Sequence, residues 1–169
     1  MAPHPIVSIF ILTIFLLSLF STNAIRTSSS DNPPPTSEKL IDSACDEPRL
    51  QSKSECKQVL QSQPDIISAT DLYNLSIAIM RSGISYLCAT LNYIEESLNE
   101  TGMGPTREFA LNNCSSSYDE AIWSTSSALS EVMYDDDYES ATYDLDLAVT
   151  NDMQPCLDEV PALLLLSTL

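Results

Sequence analysis

A chain of 169 residues with 24 Asp and Glu against 7 Lys and Arg carries a formal net charge of −17 at pH 7. That balance excludes nucleic acid and disfavours polyanionic polysaccharides as partners, since both need clustered cations, and it favours attraction to a basic protein. The one histidine, His4, lies in the apolar leader and is expected to leave with it, so the mature chain would have no means for Ser-His-Asp or Cys-His catalysis or a histidine-based zinc site, and only three glycines leave no glycine-rich phosphate loop.

Ile6 to Phe20 is an almost unbroken apolar run followed by the small residues Ser21-Thr22-Asn23-Ala24. It predicts a signal peptide over residues 1–24, cleaved after Ala24; the run is shorter than the ~20 residues that span a bilayer, so no membrane segment is expected after cleavage. Residues 25–37, polar and proline-rich, read as a flexible entry segment with no core of its own. Glu38 to Ser62 predicts a small helical hairpin: Leu40-Ile41, a turn around Pro48, then a helix carrying Cys56, Val59 and Leu60.

Between Thr70 and Asn99 apolar side chains fall at Met80, Ile84, Leu87, Leu91, Ile94 and Leu98, the four-three alternation of one helical stripe. Ser68 with Asp71 reads as its capping box, and Thr101-Gly102-Met103-Gly104-Pro105 ends it. Pro105 announces a second helix with Leu111, Cys114, Tyr118, Ile122, Thr125, Leu129 and Val132 on one face, stopping at Tyr134-Asp135-Asp136-Asp137. A third runs from Tyr138 to Asp152 with Tyr138, Ala141, Leu145 and Ala148 inward, and the carboxylates of Asp136, Asp137 and Glu139 lie at its start, where the helix dipole favours negative charge. Short connections imply antiparallel neighbours, so the fold class is all-α, an N-terminal helical hairpin plus an up-and-down four-helix-bundle type domain.

Asp135-Asp136-Asp137 is where a catalytic carboxylate pair would have to be sought, and Asp135, Asp137 and Glu139 stand at calcium-loop spacing. Three acids in a turn are far more often a solvated helix start than a dyad, and Ser140 stands where a calcium loop needs glycine. No catalytic residue, metal ligand or cofactor is therefore expected. A bond between Cys45 and Cys56 would pin the hairpin, and one between Cys114 and Cys156 would tie the second helix to the end of the third; spacing ranks local pairing first without fixing it. Each would contribute about 3 to 4 kcal/mol by the loop-entropy model.

Ile41-Asp42-Ser43-Ala44-Cys45 through Cys56-Lys57-Gln58-Val59-Leu60, then Ala110-Leu111-Asn112-Asn113-Cys114-Ser115-Ser116-Ser117-Tyr118-Asp119-Glu120-Ala121, then Tyr138-Glu139-Ser140-Ala141 and Cys156-Leu157-Asp158-Glu159 resemble, in order, the plant pectin methylesterase and invertase inhibitor family. The most specific part is Ala-Leu-x-x-Cys-x-x-x-Tyr-x-x-Ala with its downstream cysteine. Over residues 38–160 the resemblance implies a helical hairpin leading into a four-helix bundle, the pairings Cys45 to Cys56 and Cys114 to Cys156, and a protein that performs no chemistry but docks on a carbohydrate-active enzyme and blocks its cleft. Cys88, beside Leu87, is then left over as a free thiol. It reads as a buried small hydrophobe, with a crosslink between two chains as the alternative.

Invertase inhibitors of this family carry Pro-Lys-Phe in the link before the helix that starts here at Tyr138. This chain has Asp135-Asp136-Asp137-Tyr138, with neither the proline nor the lysine, and its Asp-Tyr-x-x-Ala form is similar to the pectin methylesterase inhibitors. The resemblance therefore implies a basic pectin methylesterase (pectinesterase) as target, with Asp135, Asp136, Asp137 and Tyr138 as candidate partner-binding residues and invertase as the alternative target. The protein is expected to be secreted to the apoplast and cell wall, with the vacuole a lesser alternative. Family members normally continue for a few tens of residues past the position of Cys156, whereas residues 161–169 form a short apolar tail. Most of the last bundle helix is thus expected to be lacking, and a homodimer that covers the exposed groove or a non-inhibitory secreted helical protein are the rival readings. Asn74-Leu75-Ser76 and Asn99-Glu100-Thr101 are glycosylation sequons, Asn74 on condition that its helix face is outward. Asn113-Cys114-Ser115 is a third formal match, whose cysteine is expected to be inside and bridged.

Overall fold

The computed structural model of the chain describes residues 36–46 and 52–159, and every regular element among them is a helix. The expected signal peptide, nearly all of the entry segment and the apolar tail lie outside the described residues. The hairpin consists of α1 (Ser37–Cys45) and α2 (Lys53–Gln61), which bury Leu40, Ile41, Ala44, Cys56 and Leu60 between them and the bundle. A Cys45–Cys56 disulfide joins the two, as the resemblance implied. Ion pairs Lys57–Asp42 at 2.7 Å and Lys53–Asp46 at 2.9 Å decorate the same joint; both are exposed, so they add little to the disulfide.

A one-turn helix, α3 (Pro64–Ile67), follows and buries Ile66. The sequence reading missed it, because four residues are too few to show a helical period. It also corrects the expected cap. The Ser68 hydroxyl donates back to the Asp65 carbonyl at 2.9 Å, closing α3, and Asp71 alone caps the next helix, its carboxylate accepting from the Asn74 N–H at 2.8 Å.

That helix, α4 (Leu72–Leu98), is the longest α-helix among the described residues. It turns at Gly102, whose φ of 86° lies in the left-handed region that glycine adopts without cost. Pro105 then sits at the first position of α5 (Pro105–Ser130), where its fixed φ and missing N–H suit the helix start. One π-helical turn, Glu131–Asp135, prolongs α5. The chain reverses at Asp136, a left-handed residue with φ 51°, and enters α6 (Tyr138–Leu147). A second π-helical turn, Ala148–Asp152, ends α6, and residues 154–159 are helical again.

The extensive contacts run between α4 and α5 and between α5 and α6 with its π turn, so α5 is the middle member of the layer. Two apolar clusters hold the molecule. The first joins the hairpin and Ile66 to Leu75, Ile79 and Met80 of α4, Ala128 and Val132 after the middle of α5, and Ala141 and Leu145 of α6. The second, at the other end, gathers Leu87 and Ile94 of α4, Leu111, Cys114, Tyr118 and Ala121 of α5, and Ala148, Met153 and Cys156. It contains the second disulfide, Cys114–Cys156. Cys88 is unpaired and half-buried, outside both clusters rather than within the core.

Candidate docking surface

Since α5 is flanked by α4 and α6, its inward positions are taken up by core, and its remaining face defines what the molecule shows to a partner. Positions 109, 116, 120, 123, 127 and 130 recur at helical spacing and carry Phe109, Ser116, Glu120, Trp123, Ser127 and Ser130. Phe109 is 62% exposed and Trp123 71% exposed, on a face otherwise made of serines and Glu120. Tyr134 in the π turn is 77% exposed and Tyr143 on α6 is 64% exposed. Large aromatic rings in water are the side chains that dominate protein interfaces when buried by a partner. The inward stripe of α5 was legible in the sequence, whereas this outer row was not singled out there, although its spacing is visible at the same period.

The turn between α5 and α6 supplies the charge. Asp135 and Asp136 are exposed. Asp137 is occupied: it caps α6, accepting from the Ser140 N–H at 3.0 Å and the Ser140 hydroxyl at 2.8 Å, and these bonds hold its carboxyl below the usual range. Tyr138 is half-buried and packs against the first cluster, and its phenol is pushed up by burial and then by Asp136 and Tyr73. Of the four candidate partner-binding residues, then, the three aspartates are exposed, with Asp137 also engaged in capping, and Tyr138 is half-buried and holds the turn in shape.

A fourth carboxyl behind the turn was not anticipated. One oxygen of Glu131, Oε2, is buried without a hydrogen-bond partner, and its carboxyl is pushed up by burial first and then by Asp144, Asp137 and Asp135. Glu131 also holds the reversal, because its carbonyl accepts from the backbone N–H of Asp136 and of Asp137. Arg81 of α4 donates one N–H to the Met133 sulfur in the same π turn at 3.6 Å. The result is an acidic corner adjoining an aromatic face.

Two further contacts fix α5 against the segment after α6. The Ser124 hydroxyl donates to Asp152 at 2.7 Å, and the Asn113 amide donates to Glu159 at 3.1 Å. They flank the Cys114–Cys156 bond and hold the aromatic face on a rigid support. Among the described residues no group of three His, Cys, Asp or Glu side chains is arranged to hold a metal ion, and no helix is long and apolar enough to cross a membrane.

The model of one family, plant invertase/pectin methylesterase inhibitor, matches residues 39–164 of the chain. No curated protein and no solved structure matches it.

Proposed function

Because the chain belongs to the plant invertase/pectin methylesterase inhibitor family, we propose that it is a secreted protein inhibitor whose target is a pectin methylesterase, which it binds without performing chemistry. The family supports an inhibitor of either enzyme. The observation that favours the esterase is the turn at residues 135–138: three of its four residues are aspartates, it carries neither proline nor lysine, and its Asp135 and Asp136 carboxylates face solvent. An inserted lysine would need a carboxylate waiting in the target, and an aspartate in its place would meet repulsion there. The same two carboxylates complement a basic esterase, and a net charge of −17 would speed the encounter. Phe109, Trp123 and Tyr134 supply the area that such an encounter buries.

The test is methanol release from methylated pectin by a basic plant pectin methylesterase, titrated with the oxidised protein, with a plant invertase assayed in parallel. Saturating, stoichiometric loss of esterase activity with invertase untouched is the expected result. Loss of invertase activity alone would move the target to the alternative enzyme, and no effect on either by a protein shown to be folded would overturn the inhibitor reading.

A further inference from the structure

Three sequons occur in the chain, and the structure treats them differently. Asn74 and Asn99 are both exposed, in the first turn of α4 and at its C-cap. Asn74, whose exposed amide donates to the Asp71 carboxylate at 2.7 Å, adjoins an open cleft of about 230 Å³ lined by the polar Asp65, Ser68, Thr70 and Arg81 and the apolar Ala69, Ile77 and Ala78, so a first sugar there meets free space. Asn99 follows the last helical residue, with only its amide held back to the Glu95 carbonyl at 2.9 Å. Asn113 is half-buried and spends its amide on Glu159, and the next residue, Cys114, is buried and bridged to Cys156. A glycan on that nitrogen would have to be accommodated at the joint between α5 and the segment after α6.

Helix geometry adds a relation between the two exposed sites. Twenty-five residues of α-helix amount to about seven turns, so Asn74 and Asn99 lie within about 20° of each other around α4 and about 38 Å apart along it. Between them on the same side stand Arg81, Ser85, Asn92 and Glu96, all exposed. Leu87 and Ile94, which face the second cluster, occupy the other side.

We propose that Asn74 and Asn99 carry N-linked glycans while Asn113 stays bare, and that the two glycans cover the outer ridge of α4, leaving the aromatic face of α5 open. The assignment rests on the secretory reading above, since N-glycans are added in that pathway. The inference about which nitrogens are modified is separable from it.

The experiment expresses the full chain in a plant secretory host in two arms, one with its own leader and one with a leader of established secretion placed ahead of residue 25. Intact mass is read before and after endoglycosidase. Two glycans are expected in both arms, with Asn74→Gln and Asn99→Gln each removing one and Ser115→Ala, which destroys the third sequon without touching Asn113, removing none. Glycans only in the second arm would overturn the secretory reading and uphold the site assignment. A mass unchanged by the enzyme in both arms, or a glycan lost in Ser115→Ala, would overturn the assignment. The placement has its own readout, because Trp123 is the only tryptophan of the chain and lies on the α5 face. Acrylamide quenching of its fluorescence should be the same with and without the glycans, and a marked rise on their removal would overturn the claim that they leave this face open.

Discussion

Three carboxyls set opposite pH demands on the fold. Asp71 is held low first by the Asn74 backbone N–H it caps, and Asp137 first by that of Ser140, so each binds its proton less tightly folded than unfolded. Their contributions are complete above the ordinary carboxylate range and are lost as pH falls through the lowered values. Glu131 has the reverse sign. Its carboxyl is raised, so its contribution is present below the ordinary range and is lost as pH rises through the raised value. Glu131→Gln, which keeps the shape and removes the charge, should therefore flatten the decline in melting temperature between mildly acid and neutral pH; an unchanged slope would show that the carboxyl is solvated. Asp71→Ala should cost about 1 kcal/mol in urea unfolding at neutral pH.

At the level of elements, the three long helices were legible in the sequence because each has a sustained four-three pattern, and Val132, Ala141 and Leu145 are fully buried as that pattern required. What was not legible has local causes. Ser68 and Asp71 both look like caps, and only the presence of α3 decides that the serine closes one helix and the aspartate opens the next. The π turns at Glu131–Asp135 and Ala148–Asp152 shift the helical register by a fraction of a turn, which no periodic template anticipates. Both disulfides were ranked first by spacing, and they differ in span. They enclose separations of 11 and 42 residues, so losing the first should cost about 3 kcal/mol and losing the second about 4 kcal/mol. Urea denaturation of Cys45→Ser/Cys56→Ser and Cys114→Ser/Cys156→Ser variants measures both, and a reversed order would show that strain or residual structure outweighs loop entropy.

For the molecule as a whole, partner choice is a matter of surface, and surface was only half readable from the sequence. The net charge and the Asp135–Asp137 run stood out there, whereas the aromatic face emerged only once the packing of α5 showed which side remained bare. Two outcomes follow for a complex with a basic esterase. Trp123→Ala should weaken binding by about 2 kcal/mol, ~30-fold, with an unchanged circular dichroism spectrum. Raising the salt should slow association far more than dissociation, since screening removes long-range attraction and leaves packed contacts in place.

The two disulfides divide the chain in a way that bears on how it comes apart. One covalent ring closes residues 45–56 and the other residues 114–156, so the whole of α4 lies on the strand of chain between rings and belongs to neither. That helix is therefore tied to its neighbours by side-chain contacts, with no covalent ring around it. On heating or in denaturant it is the piece free to peel away, tethered at both ends like a bridge between two moored boats, while each ring keeps its own fragment together. Deuterium should enter the amides of α4 ahead of those in α5, and whatever sits on its outer ridge will ride with it.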